Sequence, residues 1–330
     1  MSFRLFLSFL GASFPAVPSE VVHVNSATEL YNAVELAHHN YDVREIILGP
    51  GIYHLSRRIL FQRNNISLVG KNGPQQTILI GKGMKKSRYP EVLMDIMASH
   101  ITIGGITLKN SGNHLIQVRA ENNADFFRLS NSILQDSYEQ MLKISGDKSA
   151  GHYSENGIVE HCVFEYTAGI GPQFYIGGID AHRSIGWQIR NNIFRNIASP
   201  SSHIAEHAIH FWQDSGDTHV IGNTIINSDR GIGFGLGKSE PQHYSGLIEE
   251  NTIVHTDMSH PFADVGIALE SSEGAIIQNN TILLYSGYPN AIEYRFASTQ
   301  NVLIRNNKVN KRIKKRDGAT ALLKANRHIN

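Results

Sequence analysis

A short apolar segment that returns at intervals of 26 to 31 residues constrains the fold of this chain more than any other feature. Each copy belongs to an alternating β-branched run, such as residues 220–226, that is bounded by Gly, Ser, Asp or Asn. A fixed period of this length indicates one supersecondary unit stacked on itself, because a single unit cannot bury its own apolar face. The pattern therefore predicts a solenoid of β-strands. The copies begin at Gly105, Asn131, His161, Asn192, Asn223, Asn251, Asn280 and Asn307.

Composition narrows the function classes. The chain has 330 residues, of which 41% are hydrophobic and 18% charged, and its formal net charge is +1. These values are typical of a well-buried globular protein and exclude a disordered or nucleic-acid-coating one. The single cysteine, Cys162, excludes an internal disulfide framework, and its place in the repeated segment predicts a buried thiol.

The two ends of the chain differ from the repeats. Residues 1–18 place one Arg before a short apolar stretch and resemble a secretory signal, so we expect a secreted or periplasmic protein. No later segment reaches the roughly 18 apolar residues of a membrane span, and we expect no membrane insertion. Residues 19–330 are interpreted as one domain, and a monomer is expected. The basic run Lys311–Arg316 is interpreted as a solvated chain end, with an acidic polymer as an alternative contact.

A capping element is predicted near the N-terminus. Val21–Val24 is typical of a strand, and a Ser or Thr cap, Ser26 or Thr28, precedes a run with helical periodicity that continues to about Ala37. A helix there would close the open end of the solenoid, whose terminal rung otherwise exposes its apolar interior.

A second column of five-residue strand segments follows the repeated segments by 8 to 19 residues. Because side chains alternate along a strand, the second and fourth residues of each segment are predicted to face the core, for example Ile179 and Ala181. The third and fifth residues then face outward. On adjacent rungs about 4.8 Å apart, this outward set includes Lys143, Asp180, His182, His210, Trp212, Gly233, Gly235 and Glu270.

Five of these outward residues form a predicted chemical patch: Lys143, Asp180, His182, His210 and Trp212. The two glycines of the next rung are predicted to leave a trough beside it. For any one of these residues alone, a purely structural role is the alternative, because the outward-facing side chains of solenoid sheets are usually polar. The asparagines of the repeated segment are assigned such a structural role. The turns that flank these rungs add Arg183, Glu206, His207, Asp229 and Arg230.

These residue types suit an acidic polysaccharide. Trp212 offers a flat face for a sugar ring, and Lys143, Arg183 and Arg230 can neutralise carboxylates. In a uronic-acid polymer the demanding step is removal of the proton at carbon 5, which requires a cation on the carboxylate and a base. His182 or His210 is the candidate base. Lys143 or Arg230 would hold the carboxylate, and Asp180 would orient an imidazole. The substrate-binding set is predicted to comprise Trp212, Arg183, Glu206, His207, Gly233, Gly235, Asp229 and Glu270.

The reaction after proton removal stays open between two outcomes. Expulsion of the oxygen at carbon 4 makes the enzyme a lyase, whereas return of the proton from the other face makes it an epimerase. We expect β-elimination, because it requires chemistry on one face of the sugar. Two further functions fit the same residues: a glycoside hydrolase using Asp180 and Glu206, and a noncatalytic polysaccharide-binding module. No cofactor is expected to be required. Calcium would select Asp180, Asp229 and Glu270, and zinc would select His182, His207 and His210.

The repeated segments, the outward ladder and the N-terminal helix together resemble the pectate-lyase-like superfamily. That resemblance covers nearly the whole chain and implies an all-β, right-handed parallel β-helix with an N-terminal capping helix. Residues 179–184, with the rungs that follow, also resemble the Asp-Pro-His-Asp rung of mannuronan epimerases. The likeness implies proton abstraction by His182. Ala181 stands in place of the proline and Arg183 in place of the second aspartate.

Overall fold

A computed structural model describes residues 20–238, 242–258 and 260–329. The predicted signal segment 1–18 lies outside the described residues. The chain forms a parallel β-helix whose coils each contribute a strand to three long sheets, and all strand pairings among the described residues are parallel. The predicted solenoid is confirmed.

In the described part of the chain, to which all the following strand counts refer, the first sheet has 12 strands. They are Glu20–Val24, Val43–Leu48, Ile66–Gly70, Ile101–Gly104, Arg128–Ser130, Ile158–Glu160, Gln188–Arg190, His219–Ile221, Leu247–Glu249, Ile276–Gln278, Val302–Arg305 and Ala321–Lys324. The second, called here the site sheet, has 10 strands. They are Ile59–Phe61, Met94–Ile96, Ile116–Arg119, Leu142–Ser145, Ile179–His182, His207–Trp212, Arg230–Phe234, Ile267–Glu270, Asn290–Arg295 and Arg312–Arg316.

The third sheet has 11 strands and a fourth, short sheet has 5. The strands of the third sheet are Gly51–His54, Thr77–Ile80, Thr107–Ser111, Ile133–Ser137, Val163–Glu165, Ile193–Arg195, Thr224–Ile226, Thr252–His255, Thr281–Leu284, Lys308–Val309 and Arg327–His328. Those of the short sheet are Ser154–Glu155, Ser184–Ile185, Ser215–Gly216, His243–Tyr244 and Ser272–Glu273. Among the described residues, the helical segments are the α-helix α1 (Ala27–His39) and two 3₁₀ segments, Ala120–Asn122 and Lys148–Ala150.

The repeated segment is the corner between the first and third sheets. At this corner, from Gly105 onward, one residue of each coil adopts a left-handed backbone, for example Asn191 with φ 56° and Gly222 with φ 66°. The next residue points inward, and from Asn192 onward it is an asparagine whose amide bonds the neighbouring coils. Asn223 Nδ2 donates to the Ile189 carbonyl at 2.8 Å, and the backbone N–H of Asn192 donates to Asn223 Oδ1 at 3.0 Å. The asparagines are structural, and Cys162 occupies the same column as a buried thiol.

The two ends of the solenoid are closed differently. At the N-terminal end, Ser26 caps α1 by accepting from the backbone N–H of Glu29 at 3.2 Å, as predicted, and the helix buries Leu30, Ala33 and Val34. At the other end, the basic run is largely solvated, as expected, but it is paired as a strand. Arg312–Arg316 is the last strand of the site sheet, and Arg316 pairs with Glu293 at 2.8 Å. Backbone pairing with the preceding coil orders this segment, while most of its side chains stay in solvent.

Candidate functional site

The site sheet aligns the predicted residues in register. Lys143 pairs with Asp180, Asp180 with His210, and His210 with Gly233, whereas His182 pairs with Trp212. The core-facing residues of the same strands, among them Ile179 and Phe211, are fully buried. The strand phase predicted from the sequence is therefore confirmed.

Five side chains on three consecutive coils form what we call the central cluster: Lys143, Asp180, His182, His210 and Trp212. The Lys143 ammonium forms a salt bridge with Asp180 Oδ2 and lies 3.0 Å from His182 Nε2. Trp212 Nε1 donates to Asp180 Oδ1 at 2.7 Å. Asp180 thus binds a lysine with one oxygen and an indole with the other, which fixes the positions of both.

Burial and charge set the protonation states in the central cluster. Burial of Asp180 opposes ionisation, but the Lys143 ammonium and His210 outweigh it and hold the pKa of Asp180 well below its ordinary value. Burial, assisted by the charge of Lys143, lowers the pKa of His182 to about 4. At neutral pH the cluster therefore contains an aspartate anion and a neutral imidazole.

His210 is not exposed in a groove, contrary to the sequence-based expectation. Its side chain is 1% exposed. The ring lies between Trp212, with centroids 5.5 Å apart and planes 9° from parallel, and His207, with centroids 4.5 Å apart. Its Nε2 is 3.1 Å from the Gly235 carbonyl. The side chain of His182 is 16% exposed and is the cluster histidine that solvent can reach.

The predicted trough over the glycine rung is also absent, because another side chain fills it. A Cβ atom added to Gly233 would lie 2.7 Å from the His207 ring, and one added to Gly235 would lie 1.8 Å from the Glu270 carbonyl oxygen. Gly235 also has a φ of +76°, where a side chain is strained. Both glycines serve close packing. His207 belongs to the strand rather than to a turn, and burial holds its pKa well below the ordinary value.

Two predicted carboxylate-binding arginines lie outside the central cluster. Arg183 is buried at the corner towards the short sheet, where it pairs with Asp214 at 2.8 Å and donates to the His152 carbonyl. Its charge is therefore paired within the protein, away from the central cluster. Arg230 lies 3.7 Å from Asp264 Oδ2 and lines a cavity of about 70 Å³. Glu270 lines the same cavity and binds Arg295 at 3.4 Å.

Asp229 organises a loop beside the central cluster. It is buried, and its Oδ2 accepts from the backbone N–H groups of Ser199 and Ala205 at 2.9 and 3.0 Å. Burial raises its pKa to about 6. These bonds hold the segment that leads into Glu206, whose Oε2 lies 3.7 Å from His210 Nδ1.

The structure groups metal-ligating residues differently from the sequence-based sets. Asp180, Asp229 and Glu270 each bind different partners, as described above, so the calcium set is not assembled. Of the zinc set, His207 and His210 lie together, and Glu206 takes the place of His182. The ligand atoms of Glu206, His207 and His210 lie within 4.8 Å of one another. That group could hold a divalent ion.

An aromatic rim beside the cluster was missed by the sequence reasoning. Tyr175 is 41% exposed, and its pKa is raised by burial and by the negative charges of Asp180 and Glu206. Phe174, 46% exposed, packs against His203 with ring centroids 5.1 Å apart. These residues lie in connections between strands, where periodicity carries no information. The sequence signal that was available is the unusually long connection between strand Val163–Glu165 and strand Ile179–His182, which has room for an additional surface loop.

Comparisons with known proteins support the fold. Residues 177–320 match the family model described as a right handed beta helix region. No curated protein matches the sequence. No helix in the described part of the chain has the length and apolarity needed to span a bilayer.

Three solved structures illustrate the likeness. An alginate lyase from Paenibacillus sp. is 12% identical, with a TM-score of 0.55, over 83% of this chain and 97% of its own. The A-module of a mannuronan C-5 epimerase from Azotobacter vinelandii is 12% identical, with a TM-score of 0.55, over 96% and 93%. The catalytic unit of an α-1,3-glucanase from Streptomyces thermodiastaticus is 14% identical, with a TM-score of 0.63, over 94% and 66%. At these identities the likeness establishes a right-handed parallel β-helix.

Proposed function

We propose that this protein acts on a uronic-acid polysaccharide by removing the proton at carbon 5 and eliminating the substituent at carbon 4. The observation that carries the proposal is the contact between a cation and a neutral base: Lys143 Nζ is 3.0 Å from His182 Nε2. A uronate needs both groups at one place, because the charge on its carboxylate grows as the proton leaves.

Substrate binding would activate the base. In the free protein, the Lys143 ammonium donates towards His182 Nε2 and occupies its lone pair. A substrate carboxylate would compete for that ammonium and free the lone pair. The same carboxylate would place negative charge beside His182, raising the pKa of the imidazole from about 4 towards the working pH. Asp180, held by Trp212, would keep Lys143 within reach.

A proton donor is available for the leaving oxygen. Tyr175 stands at the rim, and its raised pKa keeps the hydroxyl protonated at neutral pH. We assign it the role of general acid in the elimination. Phe174 and the partly exposed edge of Trp212 would contact sugar rings. Two structurally similar proteins are named for alginate lysis and mannuronan epimerisation, which supports the substrate class.

The hydrolase alternative has weaker support. It needs an acid and a base or nucleophile on two carboxyl groups beside the scissile bond. Asp180 is 2% exposed and is bound by Lys143 and Trp212, so it cannot approach an anomeric carbon.

We also propose that the protein is secreted or periplasmic, because uronic-acid polysaccharides occur in those compartments.

The test is an activity panel on the full-length protein with alginate, polygalacturonate and glycosaminoglycans. Elimination produces unsaturated ends that absorb in the ultraviolet, whereas epimerisation changes the proton NMR spectrum without chain cleavage. New reducing ends without unsaturation would indicate a hydrolase. Binding without any product, measured by the change in Trp212 fluorescence, would indicate a noncatalytic module. Trp187 is fully buried, so Trp212→Phe identifies the source of the signal.

A further inference from the structure

A second group of metal-ligating side chains lies apart from the central cluster. It consists of Asp229, His255 and His260, which we call the corner triad. One carboxylate oxygen of Asp229 and one nitrogen of each imidazole lie within 4.8 Å of one another. The three residues come from different segments: the residue before strand Arg230–Phe234, the last residue of strand Thr252–His255, and the following loop.

We propose that the corner triad binds a divalent transition-metal ion, with zinc as the best match, and that the ion ties together the loops beside the central cluster. Two imidazoles and one carboxylate form a donor set that suits zinc and leaves a fourth position for water. Calcium and magnesium prefer oxygen ligands and do not fit this set.

The spacing of the two imidazoles suits a shared ion. His255 Nε2 and His260 Nδ1 are 3.2 Å apart. Two nitrogens bound to a tetrahedral zinc at its usual bond length would be about 3.3 Å apart. The ion could therefore replace the hydrogen bond between the rings without a large movement of either strand or loop.

The carboxylate is prepared to act as a ligand. Asp229 is 1% exposed, and its Oδ2 is fixed by the backbone N–H groups of Ser199 and Ala205. Its other oxygen, Oδ1, is buried and has no hydrogen-bond partner among the described residues. A buried carboxylate oxygen without a partner is costly, and a metal ion would satisfy it.

The surroundings of the triad provide a carboxylate beside one of the proposed ligands and a path by which a metal ion can enter. Asp257 Oδ2 lies 3.3 Å from His260 Nε2, the ring nitrogen opposite Nδ1. His260 Nε2 forms no hydrogen bond with the described residues in this arrangement, but Asp257 is close enough to accept one once the ring is metal-bound, and such a carboxylate orients the ring and increases its basicity. His255 and His260 line a pocket of about 360 Å³ together with Tyr288, and this pocket gives solvent access to the triad.

The role that follows is structural. Asp229 holds the 199–205 segment, which leads into Glu206 and carries His203 of the aromatic rim. His260 belongs to the loop that returns to Asp229, where the backbone N–H of Asp264 donates to the Asp229 carbonyl at 2.7 Å. One ion at the triad would therefore fasten two loops at the same corner.

The experiment measures metal binding by full-length, tag-free protein that has first been treated with a chelator. Zn²⁺ titration is expected to show a bound ion and a rise in Tm, and Co²⁺ is expected to give the visible absorption of a tetrahedral nitrogen-and-oxygen site. His260→Ala and Asp229→Asn should each remove one bound ion. Asp257→Asn should weaken binding by about 10- to 100-fold.

Two controls locate the ion. Glu206→Gln alters the other metal-ligating group, and His219→Gln removes a partly exposed histidine on another sheet. Both should retain the ion and the Tm rise. The proposal is overturned if the protein binds no Zn²⁺, or if Glu206→Gln removes the ion while His260→Ala retains it. Thermal melting of each variant without metal establishes that it is folded.

Discussion

Lys143 and His182 lie on neighbouring coils of the site sheet, two residues out of register, and still meet, with Lys143 Nζ 3.0 Å from His182 Nε2. Asp180, which lies opposite Lys143, makes this contact stable by binding the ammonium. Burial, assisted by the charge of Lys143, lowers the pKa of His182 and keeps its imidazole neutral at neutral pH. The Lys143–Asp180 ion pair thus places the electrophilic group of the proposed reaction directly beside its base, His182.

Replacement of His182 by Gln is expected to reduce kcat/KM on the active uronic-acid polymer by about 10²- to 10⁴-fold, since a positioned general base contributes that much. The Tm should change little, because the ring is partly exposed. His219→Gln is the matched control, as His219 is a partly exposed histidine on the first sheet. Activity of His182→Gln within about tenfold of the native protein would exclude His182 as the base.

Lys143→Met is expected to lower the free energy of unfolding by about 3–5 kcal/mol, because it leaves the buried Asp180 carboxylate without its cation. Asp180→Asn in the same chain should restore most of the loss, since the amide oxygen can still accept from Trp212 Nε1. Urea unfolding of the two single variants and the double variant measures the coupling. Strictly additive losses would show that the pair is not coupled in solution. All three variants should be inactive.

Alternation along the strands predicted the direction of each Cβ atom in the site sheet, and for Ile179, Asp180, Ile209 and His210 those directions are correct. The same alternation could not predict exposure, because exposure depends on neighbouring side chains. His210 points out of the coil and is nonetheless covered by the rings of His207 and Trp212.

Residues in the connections were the least predictable. Tyr175 and the 199–205 segment belong to long connections with no period, so their positions depend on particular hydrogen bonds such as those to Asp229. Arg183 was assigned to substrate by charge alone. Its left-handed backbone, with φ 47°, turns the side chain towards Asp214 and Tyr153 instead. Residue type predicts chemistry well only where strand register fixes the position.

Lowering the pH should destabilise the protein well before its ordinary carboxylates titrate. Burial lowers the pKa of His114 to about 4 and that of His243 to about 3, from 6.5 in the unfolded chain. Between about pH 6.5 and 4 the unfolded chain therefore binds protons that the native protein does not, and native stability falls as the pH falls through this range. Above about pH 6.5 these histidines contribute no pH dependence.

Urea unfolding measured across that pH range checks this expectation. His243→Gln should reduce the slope of stability against pH, whatever its effect on stability at neutral pH, because it removes one of the groups responsible. An unchanged slope would show that His243 takes up a proton in the native state. The contact between His243 Nε2 and Thr218 Oγ1, at 3.0 Å, would then be the interaction that offsets the cost of burying the protonated ring.

The asparagine column should contribute strongly to stability at single positions. Asn280 Oδ1 accepts from the backbone and side-chain amides of Asn251 at 2.9 and 3.0 Å, and its Nδ2 donates to the Ile248 carbonyl at 2.9 Å. Asn280→Ala would leave several of these buried groups without partners, at a cost of about 1–3 kcal/mol each. Urea unfolding should show a loss of several kcal/mol.

Asn279→Ala is the matched control, because Asn279 is the adjacent, exposed residue and has a left-handed φ of 58°. Ala325 occupies the equivalent corner position with φ 53°, so the backbone there accepts alanine, at a cost of about 1 kcal/mol. A similar loss for Asn279→Ala and Asn280→Ala would mean that the corner geometry, rather than the amide column, stabilises the stack. A much larger loss for Asn280→Ala would show that the hydrogen bonds between coils hold the corner together.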